Sequence, residues 1–175
     1  MNFQKYGTNN STNKLTIVLF VIYLIALVWI LLLKLGVQFS YRANRSVSLI
    51  PFSDGKIDVG EIILNVVICV PLGIYTGVLF KRRTFGTKLF FFFLISSMFE
   101  ALQFILRVGA FDITDIITNT LGGIIGLMIL KAIEKLFINS VKAQKFINTV
   151  AAIGTVLMIS LLFLLKMNML PVRYQ

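Results

Sequence analysis

Five long apolar runs restrict this chain of 175 residues to an all-helical membrane fold. A helix advances about 1.5 Å per residue, so it needs about 20 mostly apolar residues to cross the hydrocarbon core of a bilayer. Each run is close to that length: they occupy residues 15–33, 62–80, 89–106, 113–130 and 147–165. The pattern predicts an all-α polytopic membrane protein with about five transmembrane helices.

Composition excludes several functional classes. The chain is 58% hydrophobic and 14% charged, whereas a soluble domain carries about 25% charged residues. The net charge of +10 would suit a nucleic-acid-binding protein, but the basic residues lie in short segments between apolar runs, as topology signals do. We therefore predict no nucleic-acid partner. The lack of histidine and the single Cys69 exclude histidine-based catalytic pairs and zinc–thiolate sites.

The distribution of basic residues predicts the orientation. The N-terminal tail and the second and fourth loops carry more lysine and arginine than the opposite side does. The positive-inside rule then places the N-terminus in the cytoplasm and the C-terminus outside. We predict a polar tail (1–14), a first helix (15–33), a core formed by an outer loop and three helices (34–130), and a cytoplasmic loop with a fifth helix and short tail (131–175).

Polar side chains interrupt the apolar runs in two matching sets. An ionisable group near the bilayer centre costs about 2.5–3.5 kcal/mol, so such groups usually face a bundle interior or a site. Each set follows i, i+3, i+7 spacing, which places its members on one helix face. The connection at 108–111 is short, so the two helices are antiparallel neighbours whose polar faces can meet. The sets are Glu100, Gln103 and Arg107, and Asp112, Asp115 and Asn119.

Both sets lie in the outer half of the predicted bundle, together with Glu61 and Asn65 of the second helix. Carboxylates held close in a medium of low dielectric cannot all ionise, so one is expected to keep its proton. A protonated carboxyl beside an ionised one can act as acid and base. The structural alternatives are an N-cap role for Asp112 and interhelical hydrogen bonds for Gln103 and Asn119.

Two further segments have simpler explanations. Gly122 and Gly126 have the spacing that lets another helix backbone come close, which is favoured over a phosphate-binding loop. The first loop contains Arg42, Arg45 and the apolar segment 49–52. This combination suits the outer membrane interface, where arginine pairs with lipid phosphate. The alternative is that these arginines only snorkel beside headgroups.

Three sequence blocks resemble the VanZ-like family of small bacterial membrane proteins, named for a teicoplanin-resistance determinant. The blocks are R-S-V-S-L-I-P-F at 45–52, the stretch from Asn65 to P-L-G at 71–73, and E-A-L-Q at 100–103 leading to F-D-I-T-D-I-I-T-N-T-L-G at 111–122. Ser48, Cys69 and the pair at 109–110 depart from the family pattern. The last departure leaves Arg107 as the basic residue nearest to the place where family members often carry arginine.

The resemblance implies a multi-pass protein of the bacterial cell membrane that is linked to tolerance of glycopeptides such as teicoplanin. The family is also similar to a wider group of membrane proteins proposed to act on lipid headgroups, including phosphatidylserine synthase-like enzymes. We therefore expect a lipid-headgroup hydrolase or transferase at the outer leaflet. Its substrate would be a phospholipid or a polyprenyl-phosphate-linked cell-wall precursor. The alternative is a non-catalytic module that binds lipid, antibiotic or a partner protein.

These expectations assign roles to eight residues. Carboxylates would supply acid–base chemistry, Arg45 and Arg107 would hold phosphate, and amides would orient the substrate. A divalent cation could bind the carboxylate oxygens, but nothing in the sequence requires a metal, and the oligomeric state is left open. The predicted catalytic residues are Glu100, Asp115 and Asp112, and the predicted substrate-binding residues are Arg45, Gln103, Arg107, Asn119 and Asn65.

Overall fold

Five long helices make up most of the described part of the chain, as the apolar runs predict. The computed structural model describes residues 10–33, 46–52, 59–137 and 140–167. The helices are α1 (Asn10–Leu33), α2 (Val59–Leu79), α3 (Phe85–Leu106), α4 (Ile113–Leu136) and α5 (Ser140–Lys166), and the two short strands are β1 (Val47–Ser48) and β2 (Phe111–Asp112). The all-α prediction is confirmed, with α1 beginning inside the segment predicted as a polar tail.

Among the described residues, four helical segments are long and apolar enough to cross a membrane. They are α2, α3, α4 and the segment Lys14–Leu31 of α1. Large apolar side chains such as Ile25 and Met128, each 64% exposed, cover their outer surface, which suits contact with lipid rather than water. The fifth helix carries several polar residues up to Thr149 and is mostly apolar at 150–165. The chain is a polytopic membrane protein.

The closest helix pair is α2 and α4, and glycine makes the approach possible. A Cβ atom at Gly126 would lie 2.1 Å from the Val70 carbonyl oxygen, and one at Gly122 would lie 2.3 Å from the Val66 carbonyl oxygen. These distances leave no room for a side chain, so the two backbones are in direct contact. The packing role predicted for these glycines is confirmed.

Hydrogen bonds between polar side chains attach α5 to α1. The Thr16 hydroxyl is fully buried. It donates to Asn148 Oδ1 at 2.9 Å and accepts from Gln144 Nε2 at 2.9 Å. Because bonds of this kind hold helices together within a bilayer, the polar first half of α5 serves as its attachment to the bundle.

The outer loop is fastened to the connection between α3 and α4. Strand β1 pairs in parallel with β2, with Val47 opposite Phe111. Farther along the loop, the Phe52 backbone N–H donates to the Thr114 hydroxyl at 3.1 Å. The loop therefore lies against the start of α4, at the end of the bundle that is predicted to face outward.

The predicted orientation can be checked by labelling cysteines in intact cells. Cys69 is 2% exposed, and a Cys69→Ala background removes residual reaction at this thiol. We expect a membrane-impermeant maleimide to label Ile50→Cys in intact cells, and Arg82→Cys only after permeabilisation, because these exposed residues lie at opposite ends of the bundle. The reverse pattern would place the N-terminus outside.

Candidate functional site

A polar cavity of about 300 Å³ opens among α1, α2, α3 and α4. Asn65, Glu100 and Asn119 each lie six residues from the helix end on the predicted outer side, so all three are roughly 9 Å inside the bundle. The cavity therefore brings together polar residues from three helices at one depth, as predicted. Its polar lining residues are Glu61, Asn65, Glu100, Gln103, Asp115 and Asn119.

Glu100 is the most deeply buried acid of the cavity lining. It is 2% exposed, and its Oε2 accepts the Asp112 backbone N–H at 3.0 Å. An ionised carboxylate is costly to bury unless hydrogen bonds compensate for lost water. The N–H supplied by β2 provides such a bond and ties the carboxylate of α3 to the start of α4.

Asp115 is held by an amide from a different helix. Asn65 Nδ2 donates to Asp115 Oδ1 at 2.7 Å, which joins α2 to α4 inside the cavity. Asn65 is 8% exposed, so water competes little for this bond. The bond orients the carboxyl group of Asp115, as a site for acid–base chemistry requires.

Gln103 presents a buried acceptor. It is 3% exposed, and its Nε2 donates to the Leu31 carbonyl oxygen at 2.6 Å. Since a carbonyl oxygen can only accept, the end of the amide that faces Leu31 must be the NH₂ group. The other end of the amide is then the acceptor, Oε1. Oε1 has no hydrogen-bond partner among the described residues and lies beside Gly109, where a Cβ atom would come within 3.0 Å of it. A buried acceptor without a donor costs about 1–3 kcal/mol, so a ligand donor here would be favoured.

Asn119 has a neighbour that the sequence analysis did not assign to the site. The Cys69 thiol donates to Asn119 Oδ1 at 3.4 Å, and both side chains are buried. Cys69 follows Asn65 by four residues, so the two share a face of α2. That spacing was the available signal. An isolated cysteine in an apolar run is otherwise typical of a packing residue.

Two predicted site residues, Asp112 and Arg107, do not line the cavity. Asp112 caps α4, because its Oδ1 accepts the Thr114 N–H at 2.7 Å. The capping alternative is thus confirmed for this residue. Arg107 is exposed and ends α3 in the left-handed conformation, with φ 57°. Arg45 lies outside the described residues, and its phosphate-binding role stays a prediction, as does that of Arg107.

The described lining of the cavity is acidic. It contains three carboxyl groups and no lysine or arginine. No cluster of three or more acidic, cysteine or histidine residues arranged to hold a metal ion occurs within the described ranges. The cavity therefore offers hydrogen-bond acceptors and titratable groups, which suit a ligand bearing hydroxyl or amine donors. The carboxyl groups are Glu61, Glu100 and Asp115.

Comparison with known proteins connects this cavity to one family. The sequence model of the VanZ/LLP1 family matches residues 20–139, a range that includes every residue lining the polar cavity. Protein VanZ of Enterococcus faecium is 37% identical over 148 residues, which cover 82% of this chain and 88% of that protein. No solved structure matches the chain. A family match over most of the sequence, together with this identity, shows that the chain belongs to the VanZ/LLP1 family.

Proposed function

We propose that the protein binds the headgroup of a membrane lipid in the polar cavity and transforms it by carboxylate acid–base chemistry. The observation that carries the proposal is that Glu100 and Asp115 line one cavity within helices that can span a membrane. Acids are rarely retained in such segments without a site or a buried partner. Here two of them converge where a headgroup could enter.

The contacts suggest a division of roles. Glu100 is oriented by the Asp112 N–H and Asp115 by the Asn65 amide, so one carboxyl can act as base while the other holds a proton. Gln103 Oε1 would accept from a hydroxyl or amine of the substrate. Asn119, held by its bond with the Cys69 thiol, would position the same group.

The substrate class is a phospholipid or a polyprenyl-phosphate-linked cell-wall precursor. Both carry a phosphate beside a headgroup rich in donors. Arg45 would hold the phosphate, since it precedes Ser46, whose carbonyl oxygen accepts the Phe111 N–H at 3.1 Å next to Asp112. Arg107, exposed at the same end of the bundle, is the second candidate. A changed headgroup population at the outer leaflet would account for the teicoplanin tolerance for which this family is named.

The second candidate function is a binding module without catalysis. It is favoured by the apolar turn of the outer loop, where Leu49 is 62%, Ile50 68% and Phe52 47% exposed. Such a patch suits contact with lipid or a partner protein. A module of this kind would tolerate the loss of one carboxylate charge and would depend on the apolar turn.

Mass spectrometry of membrane lipids would separate the two functions. Cells expressing the wild type or Asp115→Asn at matched levels would be compared with cells lacking the protein. The asparagine variant keeps an oxygen that can accept from Asn65, but it cannot take up or release a proton. We expect a headgroup species to appear with the wild type and to fall by about 100-fold or more with the variant, the range for loss of an acid–base group.

The controls make the comparison decisive. The variant should match the wild type in membrane abundance and in thermal unfolding of the purified protein. If both proteins give the profile of cells without the gene while both still confer glycopeptide tolerance, headgroup chemistry is excluded. In that case the binding module becomes the better account, and Ile50→Ser should then weaken tolerance.

A further inference from the structure

We infer that an apolar groove between α1, α2 and α5 holds one acyl chain of the phospholipid whose headgroup occupies the polar cavity. The groove has a volume of about 370 Å³. The inference rests on the proposed function for the headgroup, and it adds a second binding site that selects a lipid by its hydrocarbon part.

The groove is recessed rather than a flat lipid-facing surface. Its floor contains Leu27, which is 1% exposed, and Tyr75, which is 3% exposed. Phe146 and Val150 line the side formed by α5. Gly154 leaves this wall open, because a Cβ atom there would meet nothing within 4 Å. A flexible chain entering from the bilayer would therefore contact protein on several sides.

Two hydroxyl groups in the groove are already bonded within the protein. The Tyr23 hydroxyl donates to the Ile68 carbonyl oxygen at 2.8 Å, and the Thr155 hydroxyl donates to the Ala151 carbonyl oxygen at 2.8 Å. The first of these bonds joins α1 to α2. With these groups satisfied, the groove favours hydrocarbon over a polar headgroup.

The groove and the polar cavity share a wall. Ile30 of α1 and Ile68 of α2 line both spaces. The polar cavity lies toward the predicted outer ends of the helices, and the groove lies next to it, toward the opposite ends. A ligand that fills both spaces must have a polar head joined to an apolar chain, which is the structure of a lipid.

The length of the groove favours an acyl chain of a phospholipid over a polyprenyl chain. Along α5 its lining extends from Phe146 to Thr155, roughly 13 Å at the rise of a helix. This length is close to half of a hydrocarbon core about 30 Å thick, which is the depth that a chain of one leaflet occupies. A polyprenyl chain would extend well beyond the groove.

Photocrosslinking with a lipid probe tests the inference directly. The purified full-length protein would be reconstituted in phosphatidylglycerol vesicles containing a phosphatidylglycerol with a diazirine at the middle of one acyl chain. Adducts would be mapped by mass spectrometry after illumination. We expect them to concentrate on Tyr23 and Tyr75 rather than on lipid-facing Ile25. Gly154→Phe should lower groove labelling by about tenfold or more, because the ring occupies the space of several methylene groups.

A matched variant controls for the added ring. Ile153 is 57% exposed and does not line the groove, so Ile153→Phe should leave labelling unchanged. Uniform labelling that Gly154→Phe does not alter would mean ordinary surrounding lipid and would overturn the inference. A lack of lipid adducts on Tyr23 and Tyr75 would overturn it as well, because the groove would then hold no acyl chain.

The outcome can be separated from that of the proposed function. Loss of headgroup chemistry in Asp115→Asn, with no effect of Gly154→Phe on either labelling or chemistry, would retain the proposed function and reject the groove. Selective groove labelling in a protein whose Asp115→Asn variant behaves as the wild type would reject headgroup chemistry. It would also reject the stated link between the groove and a headgroup substrate. Only lipid binding in the groove would then be supported.

Discussion

Glu100→Gln is expected to abolish the glycopeptide tolerance that the proposed function implies, while leaving the fold of the protein intact. The glutamine Oε1 can still accept the Asp112 N–H that Glu100 Oε2 accepts at 3.0 Å. The loss of an exchangeable carboxyl proton at this buried position should lower the activity by about 10²-fold or more. Teicoplanin susceptibility of cells expressing each protein at equal levels, read beside the thermal unfolding of the purified proteins, checks this prediction.

A second variant distinguishes chemistry from structure at the same position. Glu100→Leu removes the acceptor as well as the charge and leaves the Asp112 N–H without this partner, which costs about 1–3 kcal/mol. We therefore expect Glu100→Leu to lose both stability and tolerance, whereas Glu100→Gln loses tolerance alone. Full tolerance in the glutamine variant would remove Glu100 from the mechanism.

Gly126→Ala is expected to cause a large loss of stability, because the added methyl group would clash with backbone atoms of α2. The new Cβ would lie 2.1 Å from the Val70 carbonyl oxygen and 2.9 Å from the Gly73 Cα. Both contacts are with backbone, so α2 and α4 would have to move apart. We expect a loss of about 3 kcal/mol or more in the free energy of unfolding, at the upper end of the range for overpacking.

Gly86→Ala is the matched control for this prediction. It adds the same methyl group near the start of α3, where a Cβ atom would meet nothing within 4 Å. Alanine favours a helix over glycine by about 1 kcal/mol, so this variant should unfold at or above the wild-type temperature. The measurement is thermal unfolding in detergent, monitored by circular dichroism. Equal stability of the two alanine variants would show that α2 and α4 are not in direct backbone contact.

For the acidic residues, the helix face could be predicted from the sequence, but the contacts of each carboxylate could not. Glu100 and Asp115 could be placed on facing helices because helical spacing and a short connection determine which faces meet. Asp112 matches the same spacing, but its side chain caps α4. At the first turn of a helix a free backbone N–H competes for a nearby carboxylate. Spacing alone cannot show whether a carboxylate caps a helix or lines a cavity.

The amides show the same limit in another form. Gln103 was expected to orient a substrate or join helices. Its Nε2 bonds to the Leu31 carbonyl oxygen of α1, a partner seventy-two positions away that no local pattern indicates. The bond between the Cys69 thiol and Asn119 likewise joins α2 to α4. Hydrogen-bond partners between helices depend on how far each helix is rotated and shifted against its neighbour.

The sequence by itself determined the class of the protein, its five helices and the polar faces that meet among them. Those features depend on apolar length and helical period, which are properties of local segments. Only the tertiary structure decided that α2 and α4 meet backbone to backbone. It also decided that Asp112 and Arg107 lie outside the cavity lining, and that Ile30 and Ile68 line both a polar space and an apolar one. These outcomes depend on contacts between distant segments, where the close packing of side chains and the pairing of buried polar groups select one arrangement.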